Sequence, residues 1–347
     1  MIAILYQKNL PPIRDGIQKP MKPGGYSDSG ADIACELHNN NIKISTPVDN
    51  PSIENNLDWV FPDTEEGIQN AINKGATVFW LNTVLYKTHP IEKFFNLNNY
   101  FVGQLPSVVD IYDDKWTTNK LLKENGILIP ETTLITEGDT INYKGDFPIV
   151  VKPIRGRGSQ GVSLVKNEKE LNAKLSSLFL SKQYGTSVYL EQFLSGQEIT
   201  ITVMPSGSYI INNNKKQFTT AWCLPPVKRF NHQNGIAPYN GTVAVIKNSA
   251  LLDNSERNSN QIIAVCKQCE KAAELLHIKA PIRIDCRADE KGNYYLFDVN
   301  MKPNMTGPSR PQRKNQDSLS SLAARGIGWN YFDLLKNMLN QKWTANL

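Results

Sequence analysis

Two short stretches of this chain carry residue types that could do chemistry together. The first is Lys152 followed by Gly156-Arg157-Gly158-Ser159-Gln160-Gly161. Glycines at such a tip let backbone N–H groups approach anionic oxygens, and a nearby lysine adds a point charge, so the stretch suits phosphate. The same glycines also suit a tight hairpin that needs positive φ and binds nothing. The pattern G-x-G-x-x-G does not choose between these readings. A dinucleotide site needs the third glycine to open a helix, whereas the β-like run VSLV follows here. A kinase would place its lysine on the next strand and carry H-R-D and D-F-G, and a Walker loop would place a lysine after the glycines. Neither arrangement occurs in this sequence.

The second stretch is acidic. PIRIDCRAD alternates so that Arg283, Asp285 and Arg287 fall on one face of a strand, and YYLFDVN puts Asp298 and Asn300 on one face of another. The spacer DEKGN, with Gly292, fits a hairpin turn that lays the two strands side by side. Two carboxylates and an amide oxygen then converge, a hard-oxygen set suited to Mg²⁺ and its phosphate partners. Arg283 beside them suits a phosphoryl group or an oxyanion. The plain alternative is a solvated hairpin face with weak salt bridges. The apolar residues flanking these charges argue against that.

The elements that must hold these stretches follow from periodicity. IAILYQ reads as a buried strand, SDSGADIACELHNN as a helix with Ile33, Ala34 and Leu37 on one face, and IKISTP as a second short strand. Thr64 suits the cap of a helix over 65–74 that stops at Gly75, and ATVFWLNT is rich in β-formers. Such alternation predicts a small parallel α/β layer ending near residue 105. Beyond it, Asp113 or Asp114 caps KWTTNKLLKEN, which Gly126 ends. FPIVVKP and VSLV flank the glycine tip as a hairpin, NEKELNAKLSSLF reads as a helix, and SVYLEQFL and EITITVM read as strands. A long irregular segment, CLPPVKRFNHQNGIAPYNG, precedes the helix that carries Cys266 and Cys269. The chain therefore reads as three α/β or α+β units in series.

Composition narrows the partners. A chain of 347 residues, 40% hydrophobic and 20% charged, suits two or three globular domains. Its net charge of +5 suits small anions, but no basic run with interleaved aromatics points to nucleic acid. No stretch approaches the roughly 20 apolar residues of a membrane helix, and the N-terminal apolar run is too short for a signal peptide. The five scattered cysteines fit free thiols in a reducing cytosol, so a cytoplasmic place is expected. Cys266 and Cys269 form a C-x-x-C, but i and i+3 share a helix face, and they read as small core-side residues.

Four motifs occur in order: K-P-x-x-G-x-G-S-x-G-V from Lys152, Y-L-E-Q-F-L-x-G-x-E from Tyr189, R-x-D from Arg283, and D-V-N-x-x-P-x-M-T from Asp298. On these the chain resembles ATP-grasp enzymes, and most closely the D-alanine–D-alanine ligases and related peptide-forming ligases. The likeness runs from about Asp113 to Thr306, and more weakly reaches Gly24-Gly25. It implies an N-terminal Rossmann-like pre-ATP-grasp layer at 1–105, a central subdomain with a glycine-rich lid at 106–187, and a C-terminal subdomain with the metal site at 188–347.

The resemblance also implies roles. Lys115 and Lys152 would contact ATP phosphates under a loop of Gly156, Gly158, Ser159 and Gly161. Glu191, Gln192 and Leu194 would line the adenine pocket, and Glu198 would bind ribose. Lys228 stands about where the family keeps another phosphate-contacting lysine. Asp285, Asp298 and Asn300 would hold two Mg²⁺ ions, with Mn²⁺ as an alternative, and Arg283 with the backbone N–H of Asn304 would steady an oxyanion. The implied reaction joins a carboxylate, expected from an amino acid, to an amine through an acylphosphate, releasing ADP and phosphate; a kinase or a carboxylate–thiol ligase is the alternative. Small molecules are the expected partners, without nucleic acid or membrane, and a homodimer is allowed.

Departures from the family pattern fall at several positions. Asp298 stands where glutamate is usual, and Asn304 where P-G-M-T has glycine. Asp28 or Ser29 would hold the first substrate's amine, and Ser309 or Ser318 the second's carboxylate. Arg310 and Arg313 either receive an acidic substrate or are surface charges. Asn231, His232, Tyr239 and Asn240 are polar enough to touch substrate from the long segment.

Overall fold

The structure, a computed structural model, describes residues 1–95, 98–141, 143–156, 160–233, 235–237 and 243–345. The N-terminal unit contains β1 (Ile2–Tyr6), α1 (Ser27–Asn39), β2 (Phe61–Pro62), α2 (Glu65–Asn73), β3 (Val78–Trp80) and β4 (Tyr100–Val102). Its four strands are parallel, in the order β2-β1-β3-β4. Parallel strands covered on both faces need continuous apolar runs, and every residue of β1 is buried. Thr64 caps α2 by accepting from the Gly67 N–H at 3.1 Å, and Gly75 follows in the left-handed region at φ +84°. The expected second strand at IKISTP is reduced to one bridge between Ile2 and Ile44. Pro47 follows three residues later and has no N–H with which to extend a ladder.

The central unit runs through α3 (Pro106–Tyr112), α4 (Lys115–Glu124), β5 (Thr132–Thr136), β6 (Ile149–Pro153), β7 (Ser163–Val165), α5 (Glu168–Ser181) and β8 (Ser187–Gln192). Its sheet is antiparallel, ordered β5-β8-β6-β7. Of the two candidate caps, Asp114 is the one that caps α4, accepting from the Thr117 N–H at 2.7 Å. The strand β8 pairs with β6 as far as Gln192, so this unit extends past the boundary expected at 187.

The C-terminal unit holds β9 (Glu198–Met204), the hairpin β10 (Gly207–Ile211) and β11 (Asn214–Phe218), β12 (Trp222–Cys223) and β13 (Val227–Arg229). It continues through α6 (Val245–Asn248), β14 (Ser249–Leu251), α7 (Asn254–Arg257), α8 (Asn260–Leu275), β15 (Ile282–Ala288), β16 (Tyr294–Asn300), α9 (Leu319–Arg325) and α10 (Tyr331–Asn340). The antiparallel order is β14-β13-β9-β15-β16, with β12 also on β9. Period-two alternation divides this sheet. Ile199, Ile201, Ile282, Ile284 and Cys286 pack with Val265, Cys269 and Ala272 of α8 in one apolar core, while Glu198, Thr200 and Asp285 take the opposite face. That polar face forms one wall of a cavity of about 300 Å³, which residues of all three units line.

Candidate active site

The two strands that carry the acidic motif pair as the spacing predicts. Asp285 lies opposite Asp298 and Arg283 opposite Asn300, with a bulge between Asp285 and Cys286. On the other side of β15, Asp285 faces Thr200, whose hydroxyl donates to it at 2.7 Å. Arg283 donates to both Asp285 oxygens, each at 3.2 Å. The first residue of α4, Lys115, reaches across and donates to Asp298. Burial pushes the Asp298 carboxyl up, but Lys115, with Lys152 and Arg283, outweighs it and holds the group below its usual range. Burial likewise works against the Lys115 and Arg283 cations, yet Asp298 and Asp285 respectively lead the opposing pull, and both stay raised.

The strands that flank the glycine stretch pair antiparallel, with Val151 opposite Ser163. Gly156 lines the cavity. Gly161 sits at φ +76°, where an added Cβ would meet Pro153 Cγ at 2.7 Å and Tyr184 at 2.9 Å. Gly158 and Ser159 lie outside the described residues, as do Tyr239 and Asn240. Lys152 is buried, donates to Glu191, and lies 4.7 Å from the centroid of the Phe297 ring. Burial raises the Glu191 carboxyl despite that lysine. Thus Glu191 reaches the cavity already paired to Lys152, while Gln192 and Leu194 line it too. Glu198 also lines it, and its carboxylate meets His232 Nε2 at 2.8 Å and Arg287 Nη1 at 3.7 Å.

Several expected residues stand elsewhere. Lys228 does not line the cavity. It is opposite Ile199, so it shares the far face of the sheet, where it pairs with Glu256 at 3.1 Å. Its neighbour Arg229 is opposite Glu198 and does line the cavity, and the period-two parity of VKR against EIT is the signal that finds it. Asn231 turns out to donate to the Lys247 carbonyl at 2.9 Å. Phe193 was missed as well: it lines the cavity, with the Arg287 guanidinium 4.8 Å from its ring centroid.

At the N-terminal end, neither Asp28 nor Ser29 lines the cavity. Lys22 donates to both Asp28 oxygens at 3.0 and 2.9 Å, and buried Ser29 turns back to the Tyr26 carbonyl at 3.2 Å. Ser318 is the cap of α9, bonded to Ser321, and Ser309 points to Asp32 at 3.5 Å. Arg310 is no surface charge. It is 1% exposed, and its Nε and Nη2 donate to Asp32 of α1 at 3.0 and 2.9 Å. Thr306 at 2.6 Å and Arg313 Nε at 2.7 Å complete a clamp on that buried carboxylate. Asn304, two residues before Thr306, lines the cavity, and its Oδ1 is buried without a hydrogen-bond partner.

All five cysteines are free. Cys269 is buried and Cys286 Sγ lies 3.7 Å from its sulfur, behind the polar face. Burial pushes both thiols up, as expected for core residues. Among the described residues no group of three or more His, Cys, Asp and Glu could hold a metal, so the acidic pair needs an amide as its third donor. Asn300 supplies that donor type beside the ionised Asp298, and the set fits Mg²⁺.

The fold and the motifs together define an ATP-dependent carboxylate–amine ligase of ATP-grasp architecture. Residues 125–340 match the profile of the family described as D-ala D-ala ligase C-terminus, and the chain belongs to that family. It is 25% identical over 228 residues to a D-alanine–D-alanine ligase of Francisella tularensis subsp. novicida, covering 66% of this chain and 67% of that one. A D-alanine–D-alanine ligase of Francisella philomiragia is 28% identical over 228 residues, 66% of each chain. Among solved structures, the D-alanine–D-alanine ligase of Bacillus anthracis complexed with ATP superposes with TM-score 0.63 at 17% identity, over 98% of this chain and 95% of that one. The enzyme of Coxiella burnetii gives 0.65 at 12% identity, over 98% and 94%. No helix among the described residues is long and apolar enough to cross a membrane.

Proposed function

We propose that this chain activates the carboxylate of an amino acid with ATP and joins it to an amine, with release of ADP and phosphate. The observation that carries the reading is the convergence on one cavity of Lys115, Lys152, Arg283, Asp285, Asp298 and Asn300 from two separate units. Lys115 and Lys152 bind the phosphates and neutralise charge on the transferred group, while Gln192, Phe193 and Leu194 form the apolar and amide wall for the base. Glu198 is the acceptor for the ribose hydroxyls. Asp285, Asp298 and Asn300 hold the divalent ions, which when bound supply Lewis-acid charge to the phosphoryl oxygens.

Arg283 is oriented by its two bonds to Asp285 and so stands ready for the oxyanion that forms as the amine attacks the acylphosphate. Gly156, Gln160 and Val162 line the cavity, and a site closed to water protects the activated acyl group from hydrolysis. Free thiols throughout support a cytoplasmic place. The test is ADP release across a panel of amino acids with product mass analysis. Amine-dependent ADP with an amide product is expected; ADP with a phosphorylated product and no amide overturns the reading.

A further inference from the structure

The substrate end of the cavity is cationic where a site for an ammonium group would be acidic. Lys22, from the segment before α1, and Lys302, from the segment after β16, both line it. Their ammonium groups converge on one ring: Lys302 Nζ is 3.3 Å and Lys22 Nζ 5.4 Å from the Tyr26 centroid. The Lys302 ammonium is shielded from solvent, where its charge is little screened, and Lys22 keeps 19% of its side-chain exposure. The acids of the region are already paired, Asp28 to Lys22 itself. Asp32 is sealed with Arg310 and Arg313, and Asp28 lies between Lys22 and Arg313, 3.5 Å from the latter. Three cations, Lys22, Arg310 and Arg313, therefore surround two carboxylates, and neither carboxylate lines the cavity.

We infer that Lys22 and Lys302, framed by Tyr26, form a subsite for a substrate carboxylate other than the one that is activated. The inference rests on the ligase reading above. Such a group comes from one of two sources: the second carboxylate of a dicarboxylic acyl donor, or the α-carboxylate of the amino-acid acceptor. A charge-assisted contact of about 1.5–3 kcal/mol corresponds to roughly ten- to hundred-fold in affinity.

The experiment compares substrates that differ only in that charge. Aspartate against asparagine and glutamate against glutamine test the donor, and alanine against alaninamide tests the acceptor. Each is scored by amide product and KM, and by calorimetric binding to protein holding a non-hydrolysable ATP analogue. In the pair held here, the acid has a KM about ten-fold or more below its amide. Lys22→Gln removes that advantage, Lys22→Arg keeps it, and Lys22→Glu reverses it, with KM moving more than kcat. The pair that responds identifies the source. Equal use of acid and amide in every pair, or an acid preference that survives Lys22→Gln, overturns the subsite. Amide product with no charge preference sinks the subsite and leaves the ligase; charge-selective binding, lost in Lys22→Gln, with no amide product sinks the ligase and leaves the subsite.

Discussion

Two clusters of paired charge sit close to one cavity and differ in what seals them. In the first, Lys115 and Asp298 keep 21% and 30% of their side-chain exposure, and Arg283 with Asp285 stands beside them on the cavity wall. In the second, Asp32 and Arg310 are both at 0%. The bonds are alike, yet only the first set can exchange a protein partner for a ligand. A buried ion pair is weak evidence of a site until one of its faces opens onto a space that a ligand can fill.

The comparison breaks most sharply at Asp298. Asp298→Asn removes a carboxylate from the only metal set proposed and is expected to lower turnover by ~10³-fold or more, about 4 kcal/mol. Steady-state ADP release at saturating Mg²⁺ checks it, and near-normal activity would remove the metal assignment. Arg310→Met addresses the sealed cluster. It leaves Asp32 under-compensated in the interior and is expected to cost ~3 kcal/mol of stability in urea unfolding. A loss below ~1 kcal/mol would show that the clamp is dispensable. The smallest contrast lies within one strand. Arg229→Met is expected to reduce kcat/KM about ten-fold, whereas Lys228→Met stays within about two-fold, because only Arg229 faces the cavity. Equal losses at both positions would contradict the parity of β13.

Much of the fold was legible because its strands and caps are local signals. Thr64, Asp114 and the alternation through 282–300 each act within a few residues, and each formed as spacing required. The site was legible where strand parity applies, as for Asp285, Asp298 and Asn300. It failed at Lys228, where a short strand inside an irregular segment hid the parity that selects Arg229. Asp32 and Arg310 were unreadable for a different reason. Their pairing spans 278 residues of chain, and a lone acid on a helix with a clear apolar face looks solvent-exposed. The surroundings of Asp28, one of the two residues expected near the first substrate, were unreadable for the same reason, since only the tertiary arrangement pairs it with Lys22.

The clamp on Asp32 also has a mechanical meaning. Thr306, Arg310 and Arg313 tie α1 to the segment that carries Asn304, so the N-terminal layer and that segment form a single stiff frame. Swinging one against the other would break several charge-assisted bonds at once, each worth about 1.5–3 kcal/mol. The clamp thereby fixes one wall of the cavity, the one that carries Asn304, against α1.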